Sequence, residues 1–283
     1  MIEIASTGNA IDFGDLTRSK QALSATASTT RGVVFGGYVS PAYLTDIDYI
    51  TVSSDGGANE FGELSSARGW SAACGDGIRG LVAGTWPGPA AVDFVNIATT
   101  GDASNFGELV VRPDSQGGTA VGHEITGGCS SQTRGIFGGG AHGTPSTTAV
   151  NLIQFISIQS GGDSVKFGEL NNLSYGVTAS SNSTRGLFYG GRTPTAHDTI
   201  DFITIATEGN ATDFGNLSAA ACFSAGTSNK IRGVVNIGDT GSVVNTIDFI
   251  TISTTGNATD FGDLTTATRM CAPASDSHGG LTR

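Results

Sequence analysis

A short motif that recurs at nearly constant spacing constrains this chain more than any other feature. The tetrapeptide Phe-Gly-x-Leu occurs six times, with its phenylalanine at Phe13, Phe61, Phe106, Phe167, Phe214 and Phe261. Successive copies are 48, 45, 61, 47 and 47 residues apart. Self-similarity at such a period is typical of repeat architectures, in which each unit packs against its neighbours. We therefore interpret residues 1–283 as a single domain of repeated units.

An Arg-Gly pair gives the units a second marker. It follows the motif phenylalanine at one constant interval in four units, where it begins at Arg31, Arg79, Arg185 and Arg232. In the third unit the interval from Phe106 to the pair at Arg134 is longer by ten residues. The third unit therefore contains an insertion, around the segment VVRPDSQGGTAV.

Each unit of about 47 residues is predicted to form four short strands separated by turn residues. In the fourth unit the strands lie around GVTASSNS, TRGLFYGG, TIDFITIAT and ATDFGNL, and no helical period competes. The third strand is apolar on both faces, because Ile200 and Phe202 point one way and Ile203 and Ile205 the other. Such a strand lies between two sheets. The first strands are rich in small residues, as a crowded position near a central axis requires.

Four-stranded units of this length indicate an all-β β-propeller. The N-terminal segments IEIAS and IDFGDL match the third and fourth strands of a unit. The C-terminal segments RMCAPASD and SHGGLTR match the first and second strands. We therefore predict a six-bladed ring whose last blade is shared by both termini, which removes exposed sheet edges. A parallel β-helix is the alternative, but its coils are shorter and it leaves the matching ends unexplained.

The pattern of the units resembles kelch repeats over essentially the whole chain. The shared features are small first strands, second strands that end in Gly-Gly (35–37, 137–140 and 189–191) and an aromatic fourth strand. Phenylalanine stands where kelch units usually have tryptophan. The combination of TIDFITIAT, GNATDFG and STRG is similar to propeller repeats in virion proteins of tailed phages. This resemblance implies a virion component of a tail, fibre or other surface structure, assembled in the host cytoplasm.

Composition excludes several kinds of partner. The net charge is −11, whereas binding to nucleic acid or to an anionic membrane requires a basic face. No apolar run is long enough to span a bilayer as a helix, and the first residues, MIEIASTGN, lack the pattern of a signal peptide. We therefore expect no nucleic-acid partner and no membrane insertion.

No catalytic or metal-binding constellation is visible in the sequence. The cysteines Cys74, Cys129, Cys222 and Cys271 form no CxxC pair and are expected to be free, buried thiols. The Asp-Phe-Gly tripeptides recur in several fourth strands, so we interpret them as structural and not as a kinase motif. We expect no enzyme activity, no cofactor and no metal, with calcium in a turn such as SDGGANE left open. The alternatives are a kelch-type enzyme similar to galactose oxidase and a cellular protein-interaction propeller.

The repeated arginines invite a structural explanation. In four units an aspartate precedes the motif phenylalanine at one constant interval, as Asp48 precedes Phe61, and Gln154 occupies that place in the third unit. We predict ion pairs between the arginines and these acids, or with the acid of the Phe-Gly-Asp/Glu-Leu motif, because a guanidinium can hold a carboxylate and a carbonyl together. The residues concerned are Arg31, Arg79, Arg134, Arg185 and Arg232, with Asp48, Asp93, Asp201 and Asp248. An anion-binding ring of arginines is the alternative.

The units differ most in the loops between their second and third strands. In a four-stranded meander these loops share a face with the links between blades, one of which holds the insertion. We predict that this face binds a sugar or a protein partner, because aromatic and arginine side chains on loops of a rigid scaffold suit both. The candidate binding residues are Tyr38, Tyr43, Trp86, Arg112, His142, Tyr189, Arg192 and His197. The expected partners are other virion proteins, a host-surface polysaccharide, or both.

Overall fold

The structure, a computed structural model, describes residues 1–84, 90–110, 127–142 and 148–276. In these segments the regular secondary structure is β only, with no helix. The strands form five antiparallel four-stranded sheets, the blades, together with two short hairpins. The all-β propeller arrangement predicted from the sequence is thereby confirmed.

The strands follow one plan in every blade. Blade 1 contains β1 (Ser24–Ala27), β2 (Arg31–Phe35), the hairpin β3 (Tyr38–Val39) and β4 (Ala42–Tyr43), β5 (Asp46–Thr51) and β6 (Asn59–Glu63). Blade 2 contains β7 (Ala72–Gly75), β8 (Arg79–Ala83), β9 (Ala91–Asn96) and β10 (Ser104–Glu108). Blade 3 contains β11 (Gly127–Ser130), β12 (Arg134–Gly138), the hairpin β13 (Ala141–His142) and β14 (Thr148–Ala149), β15 (Leu152–Ser157) and β16 (Val165–Glu169). Blade 4 contains β17 (Thr178–Ser181), β18 (Arg185–Tyr189), β19 (His197–Thr204) and β20 (Thr212–Ala221). Blade 5 contains β21 (Ala225–Ser228), β22 (Arg232–Asn236), β23 (Thr246–Thr251) and β24 (Thr259–Asp263).

The first strand of each blade is the innermost. Within a blade the strands pair in the order of the chain, and β1, β7, β11, β17 and β21 pack against one another around the centre. Their small side chains permit this approach: Cys74 packs on the backbone of Gly135 in the next blade, and Cys129 packs on Gly186. The predicted placement of the small-residue strands at the axis is therefore correct.

The hydrophobic core lies between the blades and not within any one of them. Ile200 belongs to the cluster between blades 4 and 5, together with Val235 and Ile250. Ile203, in the same strand β19, belongs to the cluster between blades 3 and 4, beside Phe188 and Ile153. A third strand buried on both faces is what this arrangement requires, as the sequence pattern predicts.

Two backbone hydrogen bonds join each ring position to the next, and one of them recurs with the same residue types throughout. In each joint the amide of a turn glycine donates to the carbonyl of the motif phenylalanine in the preceding blade, with N···O distances of 2.8–3.0 Å. The pairs are Gly56–Phe13, Gly101–Phe61, Gly162–Phe106, Gly209–Phe167, Gly256–Phe214 and Gly8–Phe261. The last pair connects the N-terminal segment to blade 5, so the joints close a circle.

The described parts of the two chain ends lie between blades 5 and 1 without forming a strand-paired blade. Residues 1–16 and 270–276 carry no assigned strand, so the described residues form five blades and not the predicted six. The predicted second strand of the sixth blade, SHGGLTR, lies in residues 277–283, outside the described part of the chain. Within the N-terminal segment, Ile11 donates its amide to the carbonyl of Met1 at 2.9 Å.

The glycine of the Phe-Gly-x-Leu motif is required by these joints. A Cβ atom at Gly215 would lie well under 3.0 Å from the carbonyl oxygen of Gly256, and the other motif glycines meet the matching carbonyl in the next ring position. Backbones that approach this closely leave no room for a side chain. The motif is therefore a packing device, which explains its recurrence.

We expect Gly215→Ala to destabilise the protein by about 1–3 kcal/mol, because the added methyl group forces the joint between blades 4 and 5 apart. Chemical denaturation monitored by circular dichroism measures the change. Gly57→Ala is the matched control, since its Cβ would meet the nearest atom, the carbonyl oxygen of Asp15, at an ordinary 3.4 Å. Equal stability of the two variants would contradict the assigned role of the motif glycine.

The arginines of the Arg-Gly pairs do not form the predicted ion pairs with Asp48, Asp93, Asp201 and Asp248. Each guanidinium instead donates to a backbone carbonyl in the next ring position and lies over the ring of an aromatic residue in its own blade. Arg185, for example, donates to the carbonyl of Ile252 at 2.9 Å and lies 4.8 Å from the ring centroid of Phe202. Arg31, Arg79, Arg134 and Arg232 do the same with Ala98, Ile158, Ile205 and Ile4. The arginines therefore pin neighbouring blades together, as cation–π and hydrogen-bonding groups.

The buried acids have other partners. Asp93 pairs with Arg68 at 2.9 Å, and both side chains are inaccessible to solvent. Asp48 pairs with Lys20 at 2.8 Å. Asp201 and Asp248 instead accept backbone amides from Asn171 and Ser218, at 3.0 and 2.8 Å, and burial raises the pKa of both carboxyls. Gln154 accepts the amide of Val110 at 2.8 Å in the same way. The acids thus fasten the link that follows the fourth strand of the preceding blade.

Arg185→Ala should lower the stability by about 1–2 kcal/mol, because it removes a cation–π contact and a charged hydrogen bond between blades. Arg185→Lys should recover only part of this loss, since an ammonium group lacks the planar face. Thermal unfolding measures both, with Lys230→Ala as a control that removes a cation from the same end of the ring. If Arg185→Ala melts at the wild-type temperature, the pinning role is wrong.

Candidate functional site

One end of the ring, called here the loop face, carries the loops between second and third strands. The links between blades lie on the same face, because the two are paired there: Gln21 with Tyr38, Tyr175 with Arg192, and Cys222 with Asp239. The sequence-based prediction that these loops and links share a face is therefore correct. The opposite face carries the turns between first and second strands.

Several predicted binding residues do lie on the loop face. Tyr38 and Tyr43 face each other across the β3–β4 hairpin, with ring centroids 4.9 Å apart, and both are partly exposed. Arg192 lies 5.8 Å from the ring centroid of Tyr175. These side chains form a rim of aromatic and cationic groups around the end of the ring.

Tyr189 is not on this face. Its side chain is fully buried between blades 4 and 5, and its hydroxyl lies 2.7 Å from the hydroxyl of Ser180. Burial raises the pKa of Tyr189 well above the ordinary value of a tyrosine. The prediction that Tyr189 contacts a ligand is therefore wrong, because the second strand of a blade is enclosed on both faces. Trp86, Arg112 and the side chain of His142 lie outside the described residues.

A group of residues that the sequence analysis did not single out occupies the centre of the loop face. We call it the axial-mouth cluster, and its members are Trp70, Tyr175, Phe223, Arg269, Met270 and Asp239. The ring centroids of Trp70 and Phe223 are 6.5 Å apart, although the residues belong to blades 2 and 5. Tyr175 and Phe223 are 6.3 Å apart. All three aromatic side chains are partly exposed, so aromatic surface faces solvent at the axis.

The backbone at this mouth has an unusual conformation. Trp70, Phe223 and Met270 have φ of 58°, 55° and 58°, in the left-handed region, and the equivalent residue Ala22 has 59°. Glycine suits this conformation best, as Gly176 shows with 69°. A bulky residue held there costs about 1–2 kcal/mol. The amides of Trp70 and Phe223 donate to Ala22 and Gly176. This repeated bond holds the strained residues in place.

Charged groups flank the aromatic rings. The guanidinium of Arg269 lies 5.9 Å from the ring centroid of Phe223 and forms an ion pair with Asp239. The pKa of Asp239 is lowered, first by a hydrogen bond from the amide of Gly241 and then by Arg269. A carboxylate that accepts and a guanidinium that donates therefore stand side by side next to exposed aromatic surface.

Below the mouth lies an axial cavity of about 130 Å³. Its walls come from the five first strands and from residues 270–275, and they consist largely of Ala, Ser, Thr, Cys and Gly. Ser130, Ser181 and Ser228 knit the inner strands together, because each hydroxyl donates to a carbonyl of the preceding blade. Trp70, Phe223 and Met270 line the end of this cavity at the mouth.

A serine–histidine contact near the mouth does not have the features of a catalytic pair. Ser174 lies 2.9 Å from Nε2 of His197, but its side chain is only 1% exposed. His197 Nδ1 is buried without a hydrogen-bond partner among the described residues, so no carboxylate orients the imidazole. The described residues also contain no group of three or more His, Cys, Asp or Glu that could hold a metal ion. We interpret the contact between Ser174 and His197 as packing of the loop onto the link.

Comparison with known proteins adds no assignment: no family model matches the chain, and no curated protein matches its sequence. Within the described residues, no helix is long and apolar enough to cross a membrane.

The pH dependence of folding should report the environment of His197. Burial lowers the pKa of its imidazole below the ordinary 6.5, so the unfolded chain binds this proton more readily than the folded one. Stability contributed by the neutral imidazole is therefore lost as the pH falls below 6.5. We expect His197→Gln to lose less stability than the wild type between pH 7.5 and pH 5.5, measured by urea denaturation. Parallel losses in both proteins would contradict the burial of this group.

Proposed function

We propose that this protein is a non-enzymatic binding module built on a kelch-like ring of six positions. The six equivalent glycine–phenylalanine joints support six positions, since the joint at Phe13 and the joint at Gly8 flank the place filled by both chain ends. Ala274 packs against Gly32 of blade 1 just as the equivalent cysteines pack on the next blade. In this proposal both ends together complete the sixth blade.

The binding surface in this proposal is the loop face, and one observation carries it. The residues that join blades recur from unit to unit, whereas the positions at the axial mouth hold alanine, tryptophan, glycine, phenylalanine and methionine. A scaffold that needs the same contact six times repeats its residues. Variation concentrated on one face, together with exposed aromatic and arginine side chains, is typical of a recognition surface.

The biological setting in this proposal rests on the resemblance of the repeats to those of phage virion proteins. The protein would be part of a tail, fibre or other surface structure. Its loop face would attach to a host-surface glycan or to a neighbouring virion protein. A net charge of −11 with three lysines suits neither nucleic acid nor an anionic lipid surface, which leaves polysaccharide and protein as partner classes.

Binding of fluorescently labelled protein to intact candidate host cells and to purified phage particles tests this proposal. We expect saturable binding by the wild type and at least a tenfold loss in a Tyr43→Ala, Arg192→Ala double variant, because both side chains lie on the loop face. Ile231→Ala is the control, since it removes an exposed apolar residue from the opposite face. Binding to cells supports host recognition, and binding to particles alone supports assembly. If a folded wild type binds neither, the proposal fails.

A further inference from the structure

At the axial-mouth cluster one backbone conformation is kept from unit to unit while the side chain changes. The position nine residues after the motif phenylalanine takes a left-handed backbone in each described unit. Gly176 shows that glycine fits there, yet Trp70 and Phe223 place large rings in this strained conformation. The ring of Phe223 packs on the backbone of Gly176, and both aromatic residues still leave part of their surface exposed. Strain at such a site is typical of residues held for recognition.

The arrangement of the aromatic rings in the axial-mouth cluster determines the shape of a ligand that can bind. Trp70 and Phe223 come from opposite sides of the ring and lie 6.5 Å apart at an interplanar angle of 57°. Tyr175 adds a third ring, tilted by 53° to Phe223. The three tilted, partly exposed rings present aromatic surface in more than one orientation. A compact ligand with an apolar face and a polar edge fits such a surface.

The charged groups beside the aromatic rings determine the polarity of a ligand that can bind there. Arg269 is paired with Asp239, so the pair is neutral and offers donors and an acceptor together. Two adjacent hydroxyl groups of a ligand use both, because one can donate to the carboxylate of Asp239 while the other accepts from the guanidinium of Arg269. A carboxylate ligand would have to compete with Asp239 for the guanidinium, and the net charge of −11 repels it further.

We infer that the axial-mouth cluster is a binding site for a neutral pyranose unit of a polysaccharide, which stacks on Trp70 and Phe223 and hydrogen-bonds to Arg269 and Asp239. This inference rests on the proposed function in one respect, that the loop face is the binding face. It goes beyond that function by assigning the site and the chemical class of the ligand.

Saturation-transfer-difference NMR tests the inference with the methyl glycosides of glucose, galactose, mannose, rhamnose and N-acetylglucosamine as probes. Methyl glucuronide and N-acetylneuraminic acid are the anionic comparators. We expect at least one neutral glycoside to bind and its affinity to fall tenfold or more in Trp70→Ala and in Phe223→Ala. Both variants should fold, since alanine occupies the equivalent position at Ala22 with the same φ. Ile231→Ala should bind as the wild type does.

A second readout places the ligand at the mouth. The chain has two tryptophans, so a Trp86→Phe protein has Trp70 as its sole indole. We expect a saturable change in its fluorescence with the same neutral glycoside. Adding Ile231→Ala to this protein should leave the fluorescence change intact, because that exposed residue lies on the opposite face.

Three results would overturn the inference. One is a saccharide affinity that Trp70→Ala and Phe223→Ala leave unchanged. Another is preferential binding of the anionic comparators. The third is the absence of saccharide binding in a protein that still binds cells or particles, which would leave the proposed function standing. Loss of all cell and particle binding would count against the proposed function itself.

Discussion

The hydrogen bond from each turn glycine to the motif phenylalanine of the preceding blade sets the spacing of the whole ring. It brings two backbones so close that the residue after the phenylalanine must be glycine. In five of these joints the side chain of the residue after the turn glycine, an Asn or Asp, accepts a further amide from the neighbouring ring position, as Asn257 does from Asn216 at 3.0 Å. The core depends on this spacing, because every large hydrophobic cluster lies between blades. The contacts between neighbouring blades therefore hold this propeller together.

The two ends of the ring have different physical tasks. At the end opposite the loop face, the arginines of the Arg-Gly pairs lie over aromatic rings and donate to carbonyls of the next ring position, so the same residues recur. At the loop face the buried acids hold the links between blades in place. The side chains further out on this face make no contact that recurs from unit to unit. Arg68 illustrates the boundary, since it is fully buried against Asp93 only two residues before the partly exposed Trp70. Fixed links beneath variable side chains form the rigid platform that the proposed recognition requires.

The partial mismatch between predicted and observed blades has a simple cause. The described residues of the two chain ends form no strand ladder and make a few separate backbone hydrogen bonds, such as those from Ile11 to Met1 and from Gly8 to Phe261. Their residues nevertheless occupy equivalent positions: Ile4 accepts from Arg232 as Ile252 does from Arg185. Met270 has the same left-handed φ as Trp70. These residues of the chain ends thus match the other units in position but not in secondary structure.

The sequence by itself determined the propeller, the inner place of the small-residue strands and the sandwiched third strands. Each of these follows from local periodicity repeated along the chain. It also predicted the loop face, because variable loops and links alternate in order. It did not determine the partners of the arginines, because a guanidinium can bind a carboxylate, a carbonyl or an aromatic ring. The sequence does not show which of these groups lies beside it. Nor did it separate Tyr189, which is enclosed, from Tyr38, which is not. Only the tertiary structure brought Trp70 and Phe223 together, because residues 153 positions apart meet only when the ring places them across its axis.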